Sequence, residues 1–262
     1  MSLNTNNGFE ALLAQANECL KRAGEALNLA VEGMPPAGDF QNNYIRQQAT
    51  SVASVALDVN LLVNHGRFEN VVGLCRIGFE SRINLYAAMR VPEFAAQKYL
   101  AGAKGHVEEL EELAKENAAS PLFRRELENH KRLLDDLRRD LGGIEEKPWC
   151  KFKEVVKAAG LMPDYEAHYP TMSKAVHNTM TGLAAKTDDR ILIRSVLNLL
   201  NDAVETCAVL VFFQIPGKRD PRPLTTKWKE VAGLISTFQD EYGGLAKRLN
   251  ELTNETFRHP EN

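Results

Sequence analysis

Apolar residues recur at spacings of three and four along nearly the whole chain, and no stretch shows the strict alternation of a half-buried strand. That period predicts helices from end to end. The first runs over about 8–32, with Phe9, Leu12, Ala16, Cys19, Ala23, Leu27 and Ala30 as its stripe, and Met34-Pro35-Pro36 breaks it. Asp39 is placed to cap a second helix that runs to about 65 and stops at Gly66. A third follows over about 68–89, with Pro92 marking the next boundary.

Residues 93–142 have a different character. Ala96, Leu100, Ala103, Val107, Leu110, Ala114 and Asn117 follow a 4-3 spacing, and so do Phe123, Leu127, His130, Leu134, Leu137 and Leu141. Ser120-Pro121 between them reads as an N-cap with proline at the first helical position. Two seams joined by a tight turn predict an antiparallel helical hairpin, with Glu-rich and Arg-rich arms attracting each other weakly. Further helices are expected over about 148–159, 165–182, 189–213 and 227–252, with Pro216, Pro221 and Pro223 enforcing an extended loop before the last. The expected fold is all-α: a bundle of about seven core helices in a single domain over 1–262, with a protruding hairpin at 93–142.

Composition narrows the class. At 262 residues with 44% hydrophobic and 26% charged, the chain can bury a sizeable core and is not a disordered type. A net charge of −3 gives no global attraction for nucleic acid. The basic stretch over 218–229 reads first as a solvated linker. Cys19, Cys75, Cys150 and Cys207 have no metal-ligand spacing and sit inside helical patterns, which suits a reducing compartment. No basic, apolar leader opens the chain. The longest strongly apolar stretch, over 203–215, is short for a bilayer and contains Glu205. These features predict a soluble cytoplasmic protein that does not enter a membrane.

Two polar ridges carry the candidate chemistry. Arg76, Glu80 and Asn84, and later Tyr169, Ser173 and His177, follow one another every four residues. Such residues share one side of a helix, drifting about 40° per step. The first ridge lies beside Gly73 and Ala87, opposite Val72, Cys75, Phe79, Ile83 and Tyr86; small neighbours suit the close approach of another helix. The bland alternative is a solvated face with one i, i+4 ion pair. On the second ridge, Tyr165, Tyr169, Met172, Val176, Met180 and Leu183 define a buried face with Ser173 at its margin and His177 at its edge. Arg82 falls on the apolar side of its helix and must snorkel or find a partner. Asn198, Asn201, Asp202 and Glu205 form a third polar patch on an otherwise apolar helix face.

The segments Arg76-Ile-Gly-Phe-Glu80-Ser-Arg-Ile-Asn84-Leu-Tyr86 and Tyr169-Pro-Thr-Met-Ser173-Lys-Ala-Val-His177 also resemble a bacterial family, the domain of unknown function 5677. The likeness spans roughly 40–215. It implies an all-helical cytoplasmic bacterial protein and brings no assigned activity.

Sharper chemistries fit poorly. The six histidines lack the paired spacing of a zinc site or of Glu-x-x-His di-iron helices, and no phosphate-loop or nucleophile-elbow motif occurs, so neither metal nor cofactor is expected. Arg125-x4-His130 superficially resembles the signature of the helical HEPN ribonucleases, but its Arg lies about 140° round the helix from its His. The leading expectation is a polar interhelical pocket for a small ligand or protein partner, formed by Arg76, Glu80, Asn84, Tyr169, Ser173 and His177, in a protein able to dimerise through its hairpin. Two readings stand beside it. One is a metal-independent hydrolase or nuclease of bacterial defence type, with His177 as acid/base, Glu80 beside it and Arg76 stabilising negative charge. The other is a scaffold without an active site.

Overall fold

The computed structural model describes residues 7–34, 38–116, 120–145, 147, 149, 151–176, 189–212 and 226–258. Every regular element among the described residues is helical. In chain order these are α1 (Asn7–Glu32), α2 (Phe40–Asn64), a 3-10 turn (Phe68–Asn70), α3 (Val71–Arg90), α4 (Phe94–Glu116), α5 (Pro121–Asp140), α6 (Phe152–Ala159), α7 (Met162–Val176), α8 (Asp189–Phe212) and α9 (Thr226–Arg258).

The stripe read on α1 is buried in full, from Phe9 to Ala30, and packs against α2, α8 and α9. Asp39 caps α2 as expected, its carboxylate accepting from the backbone N–H of Asn42 at 2.7 Å. α3 is the hub for the candidate site, packing against α2, α6, α7 and α8. Gly78 makes one of these approaches close, because a Cβ there would stand 2.5 Å from Leu199 Cδ1 of α8.

Three boundaries differ from the expected ones. α6 begins at Phe152 because the chain ahead of it is spent tying down α4: Trp149 Nε1 donates to Gln97 at 2.9 Å, and Lys98 donates to the Trp149 carbonyl at 2.7 Å. It ends at Gly160, whose φ of 71° is the left-handed cap conformation. α7 starts earlier, at Met162, since Pro163 occupies a first-turn position where its missing N–H is not needed. α9 runs on past the expected end to Arg258.

α4 and α5 lie side by side with a small core of their own, made by Leu100, Val107 and Leu134 with Ala103, Leu127 and Leu137 against them. Only four residues separate Glu116 from Pro121, which leaves reversal of direction as the way for neighbouring helices to pack. Glu111 and Lys131 pair across the seam at 2.6 Å. Ser120 has the extended backbone of an N-cap ahead of Pro121, but its hydroxyl makes no capping bond. His130 meets α4 across the seam, its ring edge-on to His106 with centroids 4.6 Å apart, and keeps 32% of its side chain exposed. The expected turn residues 117–119, Cys150 and most of the basic stretch over 218–229 lie outside the described residues.

Among the described residues one helix, α8, is long and apolar enough to cross a bilayer, and 67% of its apolar window is buried inside the protein. It is thus used as a core helix against α1, α3 and α9.

Candidate functional site

The flank of α3 that carries Arg76, Glu80 and Asn84 faces α7. Arg76 Nε donates to Glu80 Oε1 at 2.7 Å, as the i, i+4 spacing allows. Arg76 Nη2 reaches the phenol oxygen of Tyr169 at 2.7 Å, and the Tyr169 hydroxyl donates in turn to Glu80 Oε1 at 3.1 Å. The three groups therefore close a triangle between residues separated by ninety-three positions in the chain. Arg76 also stacks its guanidinium 4.9 Å from the centre of the Tyr169 ring. Asn84 turns inward, donating to the Glu80 carbonyl at 2.9 Å, and leaves its own side-chain oxygen buried without a partner among the described residues.

This ridge is neither dry nor fully wet. The side chains of Arg76 and Glu80 retain 21% and 33% exposure. Burial works against the charged guanidinium, but Glu80 overcomes it and raises the Arg76 pKa. Burial, reinforced by the Glu80 carboxylate, raises the Tyr169 phenol, so it stays a neutral donor. An aromatic wall backs the triangle: Tyr165 stacks on Tyr169 at 4.7 Å, and Phe152 of α6 stands 5.1 Å from Tyr169. α7 reaches this position despite Pro170 inside it, which removes one helical hydrogen bond. Ser173, one turn on, is half-buried. His177, with Met180 and Leu183, lies outside the described residues.

A second polar centre occupies the opposite flank of α3, where Arg82 does find its partners. Its Nη1 donates to Asp202 Oδ1 of α8 at 2.7 Å and its Nη2 to Asp164 Oδ2 of α7 at 2.8 Å, while Glu205 pairs with Nη2 as well. Tyr86 lies under the guanidinium at 5.3 Å and donates to Glu205. The polar patch read on α8 is thus half accounted for: Asp202 is fully buried rather than at the surface, and Glu205 is shared with Asn201 at 3.0 Å. Among the described residues one cation faces three carboxylates here. Burial raises the Asp202 carboxyl to about 6 against the pull of Arg82, and its Oδ2 has no hydrogen-bond partner among the described residues. For Arg82, Asp202 and Glu205 overcome the cost of burial and raise its pKa. Asp164 carries no periodicity signal and could not have been paired with Arg82 from sequence.

An all-helical protein whose polar and charged side chains gather where α3 meets α7 and α8 is the class that this geometry defines. The model of a family of unknown function, DUF5677, matches residues 42–190, more than half of the chain, and the chain belongs to that family. The match takes in α2 to α7 and both ridges, whereas Asp202 and Glu205 lie beyond it. No curated protein and no solved structure matches the chain.

Proposed function

We propose that the α3–α7 ridge recognises a small, flat, polar ligand. The observation that carries this reading is the triangle of Arg76, Glu80 and Tyr169, held by two helices and left partly open to solvent. Each member keeps unused capacity. Glu80 Oε2 and Arg76 Nη1 make no hydrogen bond among the described residues, which leaves one acceptor and one donor of the triangle unspent. That pair complements an amide-like edge, and the stacked Tyr165 and Tyr169 rings offer an apolar plane beside it. Asn84 fixes the Glu80 turn from behind, and Ser173 adds a hydroxyl on the α7 side. The hydrolase reading needs His177 and gains no support from the described residues.

The same proposal keeps the protein in the cytoplasm. The three described cysteines, Cys19, Cys75 and Cys207, are buried free thiols, and burial pushes Cys19 and Cys207 up to about 12.

A thermal-shift screen of small polar metabolites tests the ligand. A compound that raises the melting temperature of the wild-type chain should fail to do so for Glu80→Gln and Tyr169→Phe. If every stabilising compound acts equally on those variants, the ridge is not the binding site.

A further inference from the structure

Among the described elements α5 packs appreciably against α4 alone, and Leu134 is its one buried residue. Helices in water owe most of their stability to the packing of an apolar face, so a 20-residue helix with one buried residue is short of partners. Its other large apolar groups are not scattered. Leu122 and Leu133 are 64% and 51% exposed, and their eleven-residue spacing sets them about 20° apart round the helix. On α4, Tyr99, His106 and Leu113 follow one another every seven residues and share one side, with Tyr99 and Leu113 also exposed.

The ion pair between Glu111 and Lys131 tells which way these side chains face, because it closes one flank of the hairpin at 2.6 Å. Leu113 stands about 160° round α4 from Glu111, and Leu122 and Leu133 stand about 180° and 160° round α5 from Lys131. All three leucines therefore belong to the other flank, as one apolar face shared by both arms. Charges run beside it in rows of the same seven-residue spacing, Glu109 and Glu116 on α4 and Arg125 and Arg132 on α5. All four are exposed. Glu116, Arg125 and Arg132 make no ion pair among the described residues, and Glu109 keeps a long contact of 3.8 Å with His106.

We infer that this face docks on the same face of a second copy of the chain, the two hairpins lying tips together about a two-fold axis along their length. That axis sets α4 of each copy over α5 of the other, running antiparallel, and builds a four-helix bundle. Within one hairpin His106 meets His130 and Glu111 meets Lys131, which fixes the levels of the two arms. The same levels carried across the axis bring Glu109 to the partner's Arg132 and Glu116 to the partner's Arg125. An axis across the hairpins would instead set α4 on α4, acid against acid. Charge thus selects both the occupant and its direction, while the leucines supply the burial that α5 lacks. No residue of the α3–α7 ridge takes part.

Sedimentation velocity of the full chain, at concentrations up to roughly 100 μM, should show a dimer that weakens as salt is raised. Leu122→Glu combined with Leu133→Glu should give a monomer that keeps the cooperative unfolding transition, since both side chains are exposed. Two charge-reversed chains test the direction. Arg125→Glu with Arg132→Glu, and separately Glu109→Lys with Glu116→Lys, should each be monomeric alone, and their mixture should form a heterodimer. A monomeric wild-type chain, a dimer that survives the double leucine substitution, or reversed chains that pair no better mixed than alone would each overturn it.

Discussion

Arg82 Nη1 lies 2.7 Å from Asp202 Oδ1, and both side chains keep only 3% of their surface exposed. A charge so deeply removed from water is tolerable only while its partner is present. Arg82→Met should therefore cost about 3–5 kcal/mol of stability, because it leaves Asp202 buried opposite Glu205 and Asp164 without a cation. Arg82→Met combined with Asp202→Leu should recover most of that loss. Chemical denaturation of the four chains checks this, and a single-variant cost below about 1 kcal/mol would mean that water reaches the pair.

Asp202 also predicts a pH dependence. Its folded carboxyl titrates near 6 against an ordinary value of 3.8, so between those values the folded state holds more protons than the unfolded one. The contribution of Asp202 to stability then falls as pH rises through that window and levels off above it, by a total on the order of 3 kcal/mol. Asp202→Asn, which removes the titrating group, should lose this downward slope. Parallel slopes for the two proteins between about pH 4 and 6 would contradict the assignment.

At the α3–α7 ridge the magnitudes are smaller. A third of the Glu80 side chain is open to water, so its pairing with Arg76 is screened on one side. Arg76→Met or Glu80→Leu alone should cost about 1–2 kcal/mol, and the double variant little more than either. Tyr169→Phe should cost about 1 kcal/mol, with the aromatic wall intact. Urea unfolding of this set separates a coupled triangle from independent surface residues: strict additivity would exclude coupling.

Gly78 is where α3 comes closest to α8. A methyl group there would meet Leu199 Cδ1 at 2.5 Å and Val55 Cγ1 at 3.3 Å, and Leu199 is itself fully buried. Gly78→Ala should destabilise by about 1–3 kcal/mol through overpacking, despite the gain in helix propensity. Adding Leu199→Val, which removes the clashing carbon, should return part of the loss in a thermal melt.

Periodicity made the helices legible, because each one buries a single stripe: the Phe9-to-Ala30 stripe of α1 and the Val72–Phe79–Ile83 face of α3 are both interior. It also placed Arg76, Glu80 and Tyr169 on the flanks where they meet, and marked Arg82 as a charge needing a partner. It did not show which helix supplied that partner, since spacing describes one helix at a time and Asp164 and Asp202 belong to two others. It placed His130 where it meets His106 of α4, but not how much of the ring stays open to water, which depends on how broadly α5 contacts α4.

Within six residues α7 is tethered three times to two different neighbours: Asp164 to Arg82 of α3, His168 to Asn198 of α8, and Tyr169 to Arg76 and Glu80 of α3. It therefore behaves as a shaft with fittings on both sides. A slide or roll of α7 would stretch hydrogen bonds to α3 and α8 together, so the placement of this one helix is fixed from both sides and each polar centre holds the other in register.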